Sequence, residues 1–287
     1  MGICLLISIL ISIIGIKRYS YKKITDWSKE IVVITGGSNG IGNLCAQKLQ
    51  ELGATVIVID KLKPKQKSLK YYQCDLTDVT KIHEVCLKII KNVDHPTMLV
   101  NNVGIIIGKK LMEATTSEVD LTMKVNCLSH LYIIKAFLPG FIKANRGHIL
   151  SVSSVMGLVG AAYSVDYSAS KFAITGYAES LRQELNETNV HMSCLFPGLI
   201  TTGMFLGVSH SLPWITPPLT PNIVAVKMVD MLESNYSQDV HMPFYAKFLP
   251  LIRFLPVEIN DWIHIVFGSN TLMKDFKGSL STSKENK

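Results

Sequence analysis

The feature that most constrains this 287-residue chain is a short apolar β run, Ile31-Val32-Val33-Ile34, that passes directly into Thr35-Gly36-Gly37-Ser38-Asn39-Gly40-Ile41-Gly42 and then into an apolar helical pattern beginning Leu44-Cys45-Ala46. Strand, glycine turn and helix in that order admit few folds. Glycines let the backbone turn tightly and approach a pyrophosphate, whose charge is met by the free N–H groups and the positive dipole end of the helix. A second β run, Thr55-Val56-Ile57-Val58-Ile59, ends in Asp60, eighteen residues after Gly42, where a carboxylate can accept both hydroxyls of an adenosine ribose.

Composition narrows the class. A hydrophobic content of 48%, a charged content of 18% and a mean hydropathy of +0.28 exclude a disordered or fibrous chain and leave apolar surface to spare. The net charge of +7 would suit nucleic acid, an anionic membrane face or a phosphorylated cofactor. The excess sits in lysine-rich loops and beside the N-terminal apolar run, without aromatic interleaving, so a membrane-facing role explains it better and no nucleic-acid partner is expected. The six cysteines are scattered singly with no CxxC pair, which points to a reducing compartment and inert thiols. The eight histidines form neither HExxH nor a zinc-type cluster, so no metal site is expected.

Residues Gly2 to Ile16 carry no charge and are dominated by Ile and Leu. As a helix they reach only about 22 Å, short of the about 30 Å of a hydrocarbon core. Lys17, Arg18, Lys22 and Lys23 follow the run, whereas a cleaved signal peptide carries its positive charge before it. The order fits an uncleaved anchor over residues 1–23, a short tilted span or a segment in one leaflet, with the basic flank and the body on the cytosolic side.

Further along, Lys124-Val125-Asn126-Cys127 lies in an amphipathic helix that begins beyond Thr116, and the strand His148 to Ser153 leads into Ser154. Then comes Tyr167-Ser168-Ala169-Ser170-Lys171, in which i and i+4 share a helical face. A nearby ammonium favours phenolate and is expected to pull the Tyr167 pKa down from about 10, toward proton exchange with an alcohol or ketone. Asp166, just before it, reads as a local surface feature.

The glycine spacing TGxxxGxG, Cys74-Asp75-Leu76-Thr77, Asn101-Asn102-Val103-Gly104, Ser154 thirteen residues before Tyr167, and Pro197-Gly198-Leu199-Ile200-Thr201-Thr202 together resemble the short-chain dehydrogenase/reductase family, over roughly residues 28 to 245. The resemblance implies a doubly wound, Rossmann-type α/β fold with a mostly parallel sheet of about seven strands, in a single domain. It implies that Ser154 holds the substrate oxygen, Tyr167 is the acid/base, Lys171 lowers the Tyr167 pKa and binds the nicotinamide ribose, and Asn126 orders a relay water. Cofactor contacts fall on Gly36, Ser38, Asn39, Gly40, Ile41, Gly42, Asp60, Asp75, Asn102, Gly104, Tyr167, Lys171, Pro197, Gly198 and Thr202. Asp60 favours NAD(H); Lys61 and Lys63, in the lysine-rich loop that replaces the usual crossover helix, keep NADP(H) open.

Within the family the apolar leader, Lys135-Ala136-Phe137-Leu138-Pro139, Gly147-His148-Ile149 and Arg253-Phe254-Leu255-Pro256 are most similar to the membrane-associated branch of retinol and 17-beta-hydroxysteroid dehydrogenases. That likeness implies an oxidoreductase interconverting hydroxyl and carbonyl on a lipid-like substrate, at the endoplasmic reticulum membrane or a lipid droplet, with a homodimer admitted. Residues 246–275 form an apolar C-terminal segment that can close the pocket or touch the membrane, with an oligomer interface or core cap as alternatives. Residues 276–287 are expected to be a disordered tail. The alternative function is a non-catalytic, membrane-bound nucleotide-sensing or tethering protein, against which the intact Asn126, Ser154, Tyr167 and Lys171 set argues.

Overall fold

Seven strands form one fully parallel sheet in the computed structural model, which describes residues 22–208 and 217–277. The apolar leader up to residue 21 and the tail from residue 278 lie outside the described residues, and with them the expectations of an anchor and of a disordered end. The strands are β1 (Ile31–Thr35), β2 (Thr55–Asp60), β3 (Lys70–Gln73), β4 (Met98–Asn101), β5 (Gly147–Val152), β6 (Val190–Pro197) and β7 (Asp239–Met242), in the order β3-β2-β1-β4-β5-β6-β7. The strand order reverses between β1 and β4, so a crevice opens beyond their carboxyl ends. Register pairs Thr35 with Asn101 there, which brings the glycine turn against Asn102.

Helices cover both faces, and the alternation of apolar residues along each strand decides which face they serve. Val33, Ile57 and Ile59 point to one core, filled by Ile82, Val85 and Ile89 of α2 (Val79–Asn92), Ile133, Phe137 and Phe141 of α4 (Ser129–Ala144), and Ile174 of α5 (Val165–Glu184). Val32, Ile34, Val56 and Val58 point to the other, closed by Cys45 and Leu49 of α1 (Gly40–Glu51) and by Val224 and Met228 of α6 (Pro221–Glu233). The five described cysteines are all buried, and burial raises their thiol pKa values, Cys45 to about 12, so they are inert in the sense expected from their spacing. Between β2 and β3 the lysine-rich stretch runs as turns without a helix.

The helical stretch Thr116–Ala144 is long and apolar enough to cross a membrane, but half of its apolar window is buried in the protein. It is a core element with a defect in it: α3 (Thr116–Met123), opened by a Thr115/Glu118 capping box, meets α4 through a π-helical turn at Lys124–Leu128. Beyond β7 the chain forms a 3-10 helix over Phe244–Phe254 and then α7 (Val257–Val266). It then turns back over the loop that follows β6, where the Lys277 amide donates to the Leu206 carbonyl at 2.9 Å.

Phe276 and Lys277 fall within the stretch expected to be a disordered tail, yet both are described. The Phe276 ring occupies the space beside Gly108 where a Cβ would otherwise sit, and joins an apolar cluster with Ile106, Met156 and Met273. Its apolar ring has that socket to fill.

Candidate active site

The carboxyl ends of β1 and β2 build a cradle. Gly36 takes a left-handed φ of +66°, and a Cβ there would come 2.9 Å from the Val103 Cα, so the turn can lie this close to the β4 loop only as glycine. Asn102 fastens it, its side-chain amide donating to the Thr35 and Gly36 carbonyls at 3.1 and 3.0 Å. The Thr35 hydroxyl accepts from the amides of Asn102 and Val103, a pin between β1 and the β4 loop that no motif spacing signals. Asn39 caps α1 without a side-chain hydrogen bond, which leaves the first helical amides of Gly40, Ile41 and Gly42 facing the crevice rather than spent on a cap.

Asp60 sits across this turn. One of its carboxylate oxygens accepts from the Ser38 amide at 3.0 Å and the other from the Leu62 amide at 3.1 Å, while the Ser38 hydroxyl bonds the Leu62 carbonyl. The carboxylate is thereby aimed with lone pairs to spare for two vicinal hydroxyls. Asp75, past β3, accepts from the Thr77 amide and hydroxyl, and that backbone bond is the main reason its carboxyl titrates below the ordinary aspartate range. Free helix amides, a tight glycine turn and a fixed carboxylate fit a dinucleotide.

The second half of the site stands on β5, the π turn and α5. Tyr167 and Lys171 share the inward face of α5 and are both buried. The Lys171 ammonium donates to the Val152 carbonyl at 2.9 Å, and desolvation lowers its pKa to about 8. The Ser154 hydroxyl accepts from the Met156 amide at 3.1 Å and is hydrogen-bonded to Tyr167. The Tyr167 pKa departs from the expectation: burial pushes it up to about 12, and the partner that opposes this is Ser154, not Lys171. The apolar cover over the ring, which includes Phe205 edge-on at 6.3 Å, outweighs a lysine whose own charge is desolvated.

Asn126 lies not in regular helix but in the π turn, whose extra residue swings the side chain toward the β4 loop. It accepts from the Ile105 amide at 2.7 Å and donates to the Ile105 carbonyl at 2.9 Å and to the Ser170 hydroxyl at 3.0 Å. Ser170 is thus a support for Asn126 that sequence reasoning missed; its place one residue before Lys171 is the one signal it leaves. Gly104 passes between the two, since a Cβ there would stand 3.5 Å from the Lys171 Nζ and 3.6 Å from the Asn126 Oδ1. At the far rim Pro197 ends β6, the Gly198 amide donates to the Met242 carbonyl at 2.6 Å, and Thr202 caps the short helix that carries Met204 and Phe205.

Asp166 is not a surface residue. It is 6% exposed and accepts from the Thr122 hydroxyl of α3 at 2.7 Å, because that hydroxyl offers a carboxylate a partner inside the protein. The expected residues therefore form two neighbouring groups. One is the cradle of Gly36 to Gly42, Asp60, Asp75 and Asn102; the other gathers Asn126, Ser154, Tyr167, Lys171 and Gly104, with Pro197, Gly198 and Thr202 at the rim. Chemically, a buried phenol hydrogen-bonded to a serine hydroxyl can pass a proton to or from an oxygen bound between them.

A family model described as short chain dehydrogenase matches residues 30–212. The chain is 34% identical over 226 residues to the Bos taurus protein named short-chain dehydrogenase/reductase family 16C member 6, covering 74% of this chain and 72% of that one. It is 30% identical over 267 residues to mouse epidermal retinol dehydrogenase 2, covering 87% and 85%. Among solved structures, a ligand-free aldohexose dehydrogenase of Thermoplasma acidophilum superposes with a TM-score of 0.66 at 22% identity, over 74% of this chain and 92% of that one, a likeness of fold.

Proposed function

Given that this chain belongs to the short-chain dehydrogenase family, and is accordingly an NAD(P)-dependent dehydrogenase/reductase, we propose that it interconverts the hydroxyl and carbonyl of a retinoid-like lipid with NAD(H), held at a membrane by its leader. The observation that carries the reading is the surround of Tyr167. Its phenol lies in an apolar cluster with Ile106, Met156 and Met273, against Met204 and Phe205, so the reacting carbon meets a site with little to offer a sugar or an acid.

When bound, the dinucleotide would supply or accept the hydride. Ser154 holds the substrate oxygen and Tyr167 gives it a proton in reduction or takes one in oxidation. Lys171 steadies the nicotinamide ribose and, with Asn126, supplies a route by which the proton is replaced. Asp60 takes the adenosine ribose hydroxyls, and its charge opposes a 2′-phosphate, which supports NAD(H) over NADP(H).

The test is turnover of all-trans-retinol and of long-chain alcohols and ketones by the detergent-solubilised full chain, with each cofactor, read at the nicotinamide absorbance. Turnover with NAD(H) that Tyr167→Phe abolishes is expected. Equal or better efficiency with NADP(H) overturns the cofactor assignment, and silence toward every lipid alcohol and ketone overturns the substrate class.

A further inference from the structure

The 3-10 helix Phe244–Phe254 presents three stripes, because side chains at i and i+3 eclipse in that geometry. Ala246, Leu249 and Ile252 form the inward stripe, with Ala246 fully buried. The half-buried Tyr245 opens a second stripe, whose Phe248, Leu251 and Phe254 are apolar and exposed, ending in a Phe254 that is 86% exposed. The third carries the cations Lys247 and Arg253, and the helix contains no acid. Arg253 keeps its guanidinium 5.1 Å from the Phe172 ring, so the charge is tied to the body at the edge of the apolar stripe.

The next helix, α7, also exposes apolar side chains. Its Asn260, Ile263 and His264 are half-buried, while Ile259, Trp262, Ile265 and Val266 are exposed beside the acids Glu258 and Asp261, Trp262 at 63%. No residue of α7 is buried. A helix that buries none of its residues yet leaves large apolar side chains open to solvent marks a contact surface.

We propose that the 3-10 helix and α7 together form an in-plane docking face for a lipid surface, a second contact separate from the leader. Two things favour lipid over a protein partner. The apolar stripe of the 3-10 helix is flanked by Lys247 and Arg253, which can meet anionic headgroups above acyl chains, while the acids of the face, Glu258 and Asp261, are confined to α7. The leader, moreover, arrives at the same edge of the sheet: the Ile24 amide donates to the Glu233 carbonyl and the Asn235 side chain to the Lys22 carbonyl, in the turn that enters β7, and the 3-10 helix leaves β7 at its other end. β7, a strand of four residues, lies between the two. Chain continuing past α7 supplies Leu272, Met273 and Phe276 to the cover over Tyr167, so a docked face places that cover at the lipid boundary.

The inference rests on the reading that the leader holds the chain at a membrane, and its test separates the two. The full chain is reconstituted with vesicles of phosphatidylcholine and a minor share of phosphatidylserine, with brominated acyl chains as quencher. Of the three tryptophans, Trp27 is in the core and Trp214 lies outside the described residues, so the difference between the intact chain and Trp262→Phe isolates Trp262. Strong quenching that Trp262→Phe largely removes, and added quenchable emission in Phe254→Trp, is the expected result. Flotation with the vesicles but no quenching assigned to Trp262 overturns the docking face and leaves the leader reading intact; no flotation overturns both. Trp262 emission already blue-shifted without lipid and indifferent to bromine means that a second copy or another protein covers the face, and overturns the proposal as well.

Discussion

Lys171 holds its ammonium nitrogen 5.5 Å from the centroid of the Tyr167 ring while donating to the Val152 carbonyl. The two groups are near enough to influence each other, yet burial moves their proton affinities apart, the lysine down to about 8 and the phenol up to about 12. Through neutral pH Tyr167 is therefore the protonated partner, ready to donate, and Lys171 is the group that titrates first.

Carbonyl reduction should accordingly be limited on the alkaline side by Lys171. Its proton is held below pH 8 and lost above it, so kcat/KM for reduction is expected to be flat up to about 8 and to fall beyond. A profile that is level through that point and falls only near the phenol value would remove Lys171 from the proton route. Stability has the opposite slope. The unfolded lysine keeps its proton up to its ordinary value of 10.5, so the unfolded state binds more protons between about 8 and 10.5, and the native state gains stability as pH rises through that window.

Tyr167→Phe removes the transferable proton and little packing volume. Turnover should fall by about 10²–10⁴-fold, the usual worth of a general acid, with nucleotide binding by calorimetry close to that of the unaltered protein. Substantial residual turnover would revive the alternative of a non-catalytic nucleotide-binding protein.

Thr122→Val strips the Asp166 carboxylate of the hydroxyl that faces it across α3 and α5. Leaving a buried oxygen unpaired costs about 1–3 kcal/mol, which a thermal melt should register. Because Asp166 precedes Tyr167 in the first turn of α5, kcat should drop several-fold as well. A variant that melts lower but turns over normally would confine the bond to stability.

The parts of the molecule legible in the sequence are those where local chemistry speaks. The strand, glycine turn and helix at Ile31–Glu51 and the i, i+4 pair Tyr167 and Lys171 follow from backbone geometry and helical period, and the seven-stranded parallel sheet is as expected. What depended on distant partners was not legible. Asp166 reads as surface because carboxylates seldom enter a core; the donor that admits it lies 44 positions away. Likewise Asn126 falls in a π turn that no apolar periodicity reveals, and Tyr167 is raised rather than lowered because Met273 and Phe276, a hundred positions on, help to bury its neighbourhood.

Phe276 should behave as the latch of that cover. Gly108 has a left-handed φ of +74° and no side chain, which leaves the ring its seat. Phe276→Ala is expected to speed amide hydrogen exchange around Met273 to Lys277 and around Leu206 together, since the Lys277 amide is tied to the Leu206 carbonyl. Faster exchange in the first segment alone would mean that the two loops move independently.

Removing the leader, residues 1–21, should separate location from chemistry. Neither core draws a described residue from before Ile24, and the cradle begins at β1, so the body is expected to fold and to bind nucleotide. A substrate dissolved in a bilayer, however, is concentrated only where the enzyme is held beside it. Turnover of a vesicle-embedded long-chain alcohol should fall far more than that of a short, water-soluble one assayed on the same preparation. The docking face would retain part of the vesicle activity, and that remainder should disappear when Trp262→Asp is combined with the truncation. Equal losses for both substrates would mean that the leader supports the fold or the active site, and that membrane delivery is not its role.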